Sequence, residues 1–360
     1  LIVGGNGVSS KFPDTDIYFK DWNNQHKYIE HLILGEGEKP LAEILSNGKV
    51  SYNDGNIDSF PFPSYAGYDL NDYEEKKVYL TGSRGCVRKC TFCDIENIWP
   101  KFRYRSAESL IDEIKKHHEM HGVTRFDFTD SLINGSVSNF YRFNTLLAEA
   151  KAKDSSLKEI KYLGQAICRP RHQMPETHYE AMYYAGCQQL TIGIESFSND
   201  VRNHMKKKFS DRDIEYHLEQ CKYWNIPNIF LMITGYPTET IKDHEKNLQD
   251  LEKYKDYAKI GIIEMIRWGT TMHLIPDTPI TNPKYVKELG LKGRDHRPIG
   301  FDPSSQYYWH STKNPDLTLR ERIRRRIELH QHSVRLGYPQ PRVQNELTSV
   351  LGMAKLLHRK

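Results

Sequence analysis

The sequence predicts an α/β chain organised around a partial, six-stranded parallel barrel. Three observations predict it. From Lys77 onward, short β-branched and aromatic runs alternate with segments whose apolar residues recur at helical spacing. The boundaries fall on residues that open or stop helices, such as Ser106, Pro175, Gly122 and Gly186. The stretches just after the strand-like runs are polar or glycine-rich, as expected where parallel strands deliver residues to a site at their C-terminal ends.

Strands are expected over residues 77–81, 124–129, 160–167, 189–194, 229–233 and 259–266. Between them, the first helix starts at the N-cap Ser106, carries Leu110, Ile111 and Ile114 on one face, and stops at Gly122. The second covers about 137–152, with Phe140, Phe143 and Leu147 in phase. The third begins at Pro175 and ends at Gly186. The fourth runs over 211–224 through Ile214, Leu218 and Cys221, and the fifth over 241–257. A helix between each strand and the next implies parallel pairing with right-handed crossovers. A closed eight-unit barrel takes about 250 residues, so six units leave an open one.

Upstream, residues 1–5 read as a buried strand ending in Gly4-Gly5, and residues 28–34 as another, closed by Gly35-Glu36-Gly37-Glu38. A short helix is expected at 40–45. Residues 54–73 contain Phe60-Pro61-Phe62-Pro63, whose prolines hold the chain extended, so a domain boundary falls there.

Composition sets the outer limits. The 360 residues suffice for one large or two ordinary domains. No apolar run approaches the ~18 residues of a membrane span, and no signal peptide is visible. The six cysteines show no secreted-style pairing, which points to a reducing, cytoplasmic compartment. A net charge of +4 does not by itself imply nucleic acid. The chain opens inside an apolar run without methionine, so the natural protein is expected to start further upstream.

The chemistry concentrates in Leu80-Thr81-Gly82-Ser83-Arg84-Gly85-Cys86, followed by Cys90 and Cys93. The spacing is Cys-x3-Cys-x2-Cys, with Phe92 just before the last cysteine. Zinc prefers four ligands, often as two pairs, and Cys168, Cys187 and Cys221 are scattered singly, as core or loop thiols are. Three thiolates on one tight loop suit an iron–sulfur cluster with one iron left open.

This motif, Cys-x3-Cys-x-aromatic-Cys, is that of the radical S-adenosylmethionine (SAM) superfamily, and the chain resembles that family over about residues 1–280. The resemblance implies that Cys86, Cys90 and Cys93 bind a [4Fe-4S] cluster. It also implies that SAM binds the open iron and is cleaved by one electron from a flavodoxin- or ferredoxin-type donor. The partial barrel would then be of the radical SAM type.

The other strand ends extend the resemblance. Thr129-Asp130-Ser131 lies where an acidic residue meets the SAM amino group in related proteins; Asp130 reads equally as a turn residue capping the next helix. Arg169, after Gln165 and Cys168, either balances a carboxylate in the site or is a loop arginine. Gly193-Ile194-Glu195-Ser196 resembles the segment that lines the ribose and methionine of SAM, with Gly193 allowing close backbone approach and Glu195 suiting ribose hydroxyls or an ammonium. Met205-Lys206-Lys207 follows it. Gly235-Tyr236-Pro237-Thr238-Glu239-Thr240 resembles the family's Gly-x-Pro-Gly-Glu-Thr turn, with Thr238 at the second glycine. Glu239 is expected to act as a charge at a helix N-terminus. Asp277 stands at the glycine of a proline–glycine–threonine–proline loop. Arg267, Trp268 and His273 are candidates for the substrate side, although a tryptophan at a barrel rim more often packs.

The order at the N-terminus, with Gly4-Gly5, then Gly35-Glu36-Gly37-Glu38, then Pro-Phe-Pro, resembles the end of a Rossmann-like cobalamin-binding domain that precedes the core in one subfamily. Gly4, Gly5 and Ser9 would then lie near the cobalamin tail. No Asp-x-His-x-x-Gly segment is present, and a remnant of this size is not expected to hold cobalamin by itself.

Residues 290–315 are expected to loop over the barrel opening. Thr318-Leu319-Arg320-Glu321 opens a C-terminal helix with a capping box. Its arginines, Arg320, Arg322, Arg324, Arg325 and Arg326, could meet RNA phosphates but are expected to form a solvated face.

The expected domains are a Rossmann remnant at 1–50, a linker at 51–75, the barrel at 76–285 and a helical extension at 286–360. The expected function is radical SAM chemistry on a small-molecule or other unidentified substrate, with methyl transfer where cobalamin is bound. A radical SAM oxidoreductase or methylthiotransferase-like RNA modification without cobalamin, and a non-catalytic zinc- or RNA-binding module, are the alternatives. No β-rich tail of the methylthiotransferase kind is visible. Neither a membrane nor nucleic acid is expected as a partner.

Overall fold

A computed structural model describes residues 2–4, 30–33, 35–53, 55–293 and 306–340. In chain order the elements begin with β1 (Ile2–Gly4), β2 (His31–Ile33), α1 (Glu38–Ser46), β3 (Lys77–Leu80), β4 (Ser83–Arg84), α2 (Ile95–Ile98) and β5 (Arg103–Tyr104). Next come α3 (Ala107–His121), β6 (Arg125–Phe128), α4 (Val137–Lys153), β7 (Lys161–Ala166), α5 (Glu176–Ala185), β8 (Cys187–Glu195) and α6 (Asn199–His204). The chain continues through α7 (Asp211–Tyr223), β9 (Asn228–Met232), α8 (Ile241–Lys259) and β10 (Ile263–Arg267). The last elements are α9 (Pro283–Leu289), β11 (Leu291–Lys292), β12 (His310–Ser311) and α10 (Leu319–Arg335).

Six strands form one parallel sheet in the order β10-β9-β8-β7-β6-β3. Sequence neighbours are sheet neighbours throughout, as an unbroken run of right-handed βαβ units requires. The two end strands do not pair with each other, so the barrel stays open. Strand residues alternate between faces. Val78, Leu80, Phe126, Phe128, Tyr162, Leu190, Ile192 and Ile194 are buried, in one core with helix residues such as Ile114, Phe143, Met182 and Leu218. The alternate positions Tyr79, Thr81, Thr129 and Gln165 are exposed, leaving a polar concave face.

The helix boundaries follow local chemistry. Ser106 Oγ accepts from Ser109 N–H at the start of α3, and Gly122 closes it with φ 63°. Gly186 does the same for α5 at φ 89°, where a Cβ would meet the Ile160 carbonyl oxygen at 2.4 Å. The expected last strand starts too early. Leu251, Tyr254 and Ala258 are buried at helical spacing, so α8 continues to Lys259; Gly261, at φ 79°, then turns the chain into β10.

Two expectations about the tail are corrected. The 290–315 stretch is not all loop, because β11 pairs antiparallel with β12. The arginines of α10 do not form a solvated face. Of the five named from sequence, Arg322, Arg325 and Arg326 are buried, and Arg320 and Arg324 are exposed. Arg322 donates to the Met272, Tyr307 and Trp309 carbonyls at 3.2, 3.2 and 2.8 Å, with its guanidinium 3.8 Å from the Trp309 ring centroid. Arg326 Nε donates to the Trp268 carbonyl at 2.9 Å. Loop carbonyls beyond the sheet need donors, and guanidinium groups supply several each.

At the N-terminus, β1 and β2 form a separate parallel pair, and Gly4 ends β1 opposite Ile33. Gly5 and Ser9 lie outside the described residues. Glu36 and Glu38 pair with Arg84, and Glu36 also with Arg103, which ties the Gly35–Glu38 turn to the β4–β5 hairpin beside the cysteines. A cavity of about 500 Å³ lies between Leu41 and Leu45 of α1, the Phe60–Ser64 linker and the β3 edge. It does not include the cysteine loop.

Candidate active site at the strand ends

Strand β3 ends in the loop that carries the cysteines. Gly85, at φ 84°, has its α-carbon so near the Lys101 carbonyl that a Cβ would lie 2.9 Å from it; only glycine fits there. Cys90 is buried, while Cys86 and Cys93 are half-buried. The loop is pinned at Thr91, whose N–H donates to Met205 O at 3.1 Å and whose carbonyl accepts from Ile280 N–H at 2.7 Å. Burial raises the Cys90 thiol and pushes Cys93 up to about 11, so both are neutral without a metal at ordinary pH. Coordination to iron would deprotonate them.

The donor set fits a cluster. Among the described residues no three His, Cys, Asp or Glu side chains converge on a single ion. In a cluster each thiolate binds a different iron, so convergence on one point is not required. Cys168, Cys187 and Cys221 are buried in the core, as expected of thiols that are not ligands.

The end of β8 faces the same loop. Glu195 closes the strand at φ 65°, a backbone conformation that L-residues with side chains rarely adopt. Its carboxylate accepts from Lys207 Nζ at 3.0 Å, and both side chains are buried. Burial, the largest influence on Lys207, lowers it. Glu195 and the Cys90 and Cys93 thiols outweigh that, and the net shift is upward. Lys207 is therefore a cation placed beside both Glu195 and the cysteines. Gly193 has no room for more than hydrogen: a Cβ would stand 2.4 Å from Glu195 Oε1 and 3.0 Å from Lys207 Nζ. Lys207 was not assigned a role from sequence, where three adjacent lysines, Lys206 to Lys208, give no sign of which one turns inward.

Ser196 is fully buried and held on all sides. Its Oγ lies 3.3 Å from Asn247 Oδ1 and accepts from Ser198 N–H, and its carbonyl accepts from the fully buried Arg202. Arg169 is buried too, donating to the Asn134 and Gly135 carbonyls at 2.8 and 3.0 Å, with its Nε unpartnered. Asp130 reaches back across the strand ends to accept from Gly82 N–H at 2.8 Å, joining the β6 end to the cysteine-loop entry. Trp268 is buried and donates to Ser333 Oγ, whereas Arg267 is exposed and His273 half-buried.

Burial pushes Asp130 up to about 6 from an ordinary 3.8. Folding therefore favours its protonated form, and the stability it contributes is lost as pH rises from about 4 through 6. A shift of about two units corresponds to about 3 kcal/mol. Asp130→Asn keeps an acceptor for Gly82 and should flatten this part of the stability–pH curve, read by urea denaturation on either side of pH 6. An equally steep Asn variant would assign the slope to another group.

The Gly235–Thr240 turn forms without a glycine at position 238. Gly235 takes φ 79°, Glu239 N–H closes the turn on Tyr236 O at 2.7 Å, and Thr238 does not enter the left-handed region. Asp277, at a glycine position, does enter it, at φ 60°. Glu239 stands at the N-terminal end of α8, as expected, and is held inside the structure. It is fully buried, accepts from Gly235 N–H at 2.8 Å and pairs with Arg325 at 3.2 Å.

Comparison with known proteins agrees with this geometry. The uS12 methylthiotransferase RimO of Clostridium botulinum is 28% identical over 272 residues, 73% of this chain and 56% of that protein. The cytidylyl-2-hydroxyethylphosphonate methyltransferase of Streptomyces wedmorensis is 28% identical over 177 residues, 46% of this chain and 32% of that protein. The chain thus spans little more than half the length of the curated relatives it matches best among these. In fold it resembles the cobalamin-dependent SAM radical enzyme OxsB, solved with aqua-cobalamin and SAM, at TM-score 0.63 and 14% identity over 99% of this chain and 63% of that one. It also resembles the radical SAM methyltransferase TsrM of Kitasatospora setae, at TM-score 0.56 and 14% identity over 70% and 51%. Residues 80–251 match the model of the radical SAM superfamily, a span that runs from the cysteine loop through both glycine turns, and that stretch of the chain is a radical SAM domain.

Proposed function

We propose that this chain is the radical-generating core of a cobalamin-dependent radical SAM enzyme that transfers a methyl group to an unidentified substrate. The observation that carries the cobalamin part is the order of the N-terminal elements. A parallel β1–β2 pair, with a Gly-Gly end and an acidic-glycine turn, precedes the barrel and is latched to it through Arg84. The OxsB likeness extends over this region as well as the barrel.

When bound, the cluster and SAM supply one-electron cleavage of the sulfonium to methionine and a 5'-deoxyadenosyl radical, and cobalamin supplies a transferable methyl group. The chain's own residues do the rest. Cys86, Cys90 and Cys93 would hold three irons. Lys207 sets a positive charge beside them, and Glu195 offers a carboxylate where the amino or ribose groups of SAM need one. Gly193 lets the ligand approach the strand backbone. Thr81, Thr129 and Gln165, on the concave face, present hydrogen-bonding groups to the substrate. A one-electron donor of flavodoxin or ferredoxin type completes the cycle. The RimO likeness favours a second reading, methylthio transfer, over the region it covers.

The test is anaerobic. Protein reconstituted with iron and sulfide, given dithionite and SAM, should release 5'-deoxyadenosine by mass spectrometry, and Cys90→Ala should release none. Uptake of zinc with no cluster would overturn the reading. The cobalamin part is tested by whether cobalamin co-purifies with the protein expressed from its full gene in supplemented medium.

A further inference from the structure

The segment after α6 braces the cysteine loop in a way the superfamily motifs do not describe. Met205 O holds the Thr91 N–H, and Lys207 reaches Glu195. Just before these anchors, at the last residue of α6, His204 Nδ1 lies 2.8 Å from the Tyr236 hydroxyl oxygen, which lies 2.7 Å from Thr91 Oγ1. Thr91 and Tyr236 are fully buried and His204 is half-buried. Thr91 stands between Cys90 and Cys93, and its N–H, carbonyl and hydroxyl are all engaged.

Counting hydrogens makes this chain directional. Two hydrogen bonds join three groups. In one arrangement Thr91 donates to Tyr236, and Tyr236 donates to the lone pair of His204 Nδ1; the imidazole hydrogen then sits on Nε2. In the other, Nδ1–H donates to Tyr236 and Tyr236 donates to Thr91. The Thr91 hydroxyl hydrogen is then free to turn away from Tyr236. An imidazolium has no lone pair, so it permits only the second arrangement.

We propose that His204 is a positioning residue that acts through Tyr236 to set which way the Thr91 hydroxyl donates, and so couples solution pH to the cysteine loop. The proposal rests on the radical SAM reading above. The groups facing His204 are the Tyr236 ring, Tyr285 and Glu288 of α9, and Lys206 beside it. Burial holds His204 below the ordinary histidine value; Glu288 pulls it up and Lys206 down. It is therefore neutral at neutral pH and becomes cationic only in acid. A hydrogen bond turned toward a cluster stabilises the extra electron and raises the reduction potential.

The experiment is a redox titration of the reconstituted protein, followed by the EPR signal of the reduced cluster, from mildly alkaline to mildly acidic pH. The parent potential should rise as pH falls. It should be flat in His204→Gln and in Tyr236→Phe at unchanged iron content. A pH-independent parent, or a slope that survives in His204→Gln, overturns the proposal. If Tyr236→Phe loses iron, the comparison of parent and His204→Gln decides alone. Failure of the parent to form any four-iron signal overturns the radical SAM reading and this proposal with it, whereas a normal cluster with a flat potential overturns only the proposal.

Discussion

Lys207→Met is expected to destabilise the protein by about 3–5 kcal/mol, and Lys207→Met combined with Glu195→Gln to recover a large part of that loss. Removing one member of a buried ion pair leaves the other charge without water or partner, which is where most of such a cost arises. Glu195 and Lys207 are 3.0 Å apart and both buried, so neither can turn to solvent when alone. Glu195 is also fixed by its backbone at φ 65°, and its carboxylate sits in the space that a side chain at Gly193 would fill. The double variant removes both charges at once and should be milder than the first single variant. Urea denaturation of the metal-free forms reads this directly. SAM affinity should fall in Lys207→Met, in Glu195→Gln and in the double variant, because both charges face the ligand site in the proposed function. Additive losses in the double variant would show that the pair is not coupled, and unchanged SAM affinity would remove it from the site.

The cysteine loop was legible because its chemistry is written in spacing along one segment. The helix ends at Ser106, Gly122 and Gly186 were legible for a related reason, since capping and left-handed turns are decided within a few residues. The start of β10 was not. Ile260-Gly261-Ile262 looks like strand, and only the burial of Tyr254 and Ala258 against the core keeps the helix going to Lys259. The arginines of α10 were misread for a deeper reason. Helical periodicity separates an apolar stripe from charges, but it cannot reveal that carbonyls of residues 268–272 and 307–309 need donors. Lys207, Tyr236 and His204 share that difficulty. Each acts on the cysteine loop or Glu195 from a distant stretch of chain, and their roles follow from the parallel order of the strands.

Arg325→Met should cost about as much as the loss of Lys207, about 3–5 kcal/mol, although it lies on a helix that sequence periodicity alone would place in solvent. Arg325 is 4% exposed. It donates to the Glu239 carboxylate at 3.2 Å, to the Glu239 and Thr240 carbonyls at 3.2 and 3.0 Å, and to Glu321 at 2.8 Å. Methionine keeps the length of the side chain but none of these bonds. Glu239, fully buried and already raised by burial, then loses its ion-pair partner, and its carboxylate keeps the Gly235 N–H and the more distant charge of Arg322. Arg324→Met is the matched control. Its pairs with Glu321 and Glu328 lie on the helix surface, where such contacts contribute about 0–1 kcal/mol. The consequence should reach the cysteines. Glu239 holds Gly235, Gly235 precedes Tyr236, and Tyr236 holds Thr91. Arg325→Met should therefore release iron to a chelator faster than the parent, while Arg324→Met matches it. Equal unfolding midpoints for the two variants would mean that α10 is docked by its apolar residues, Ile323 and Leu329, and not by its buried charges.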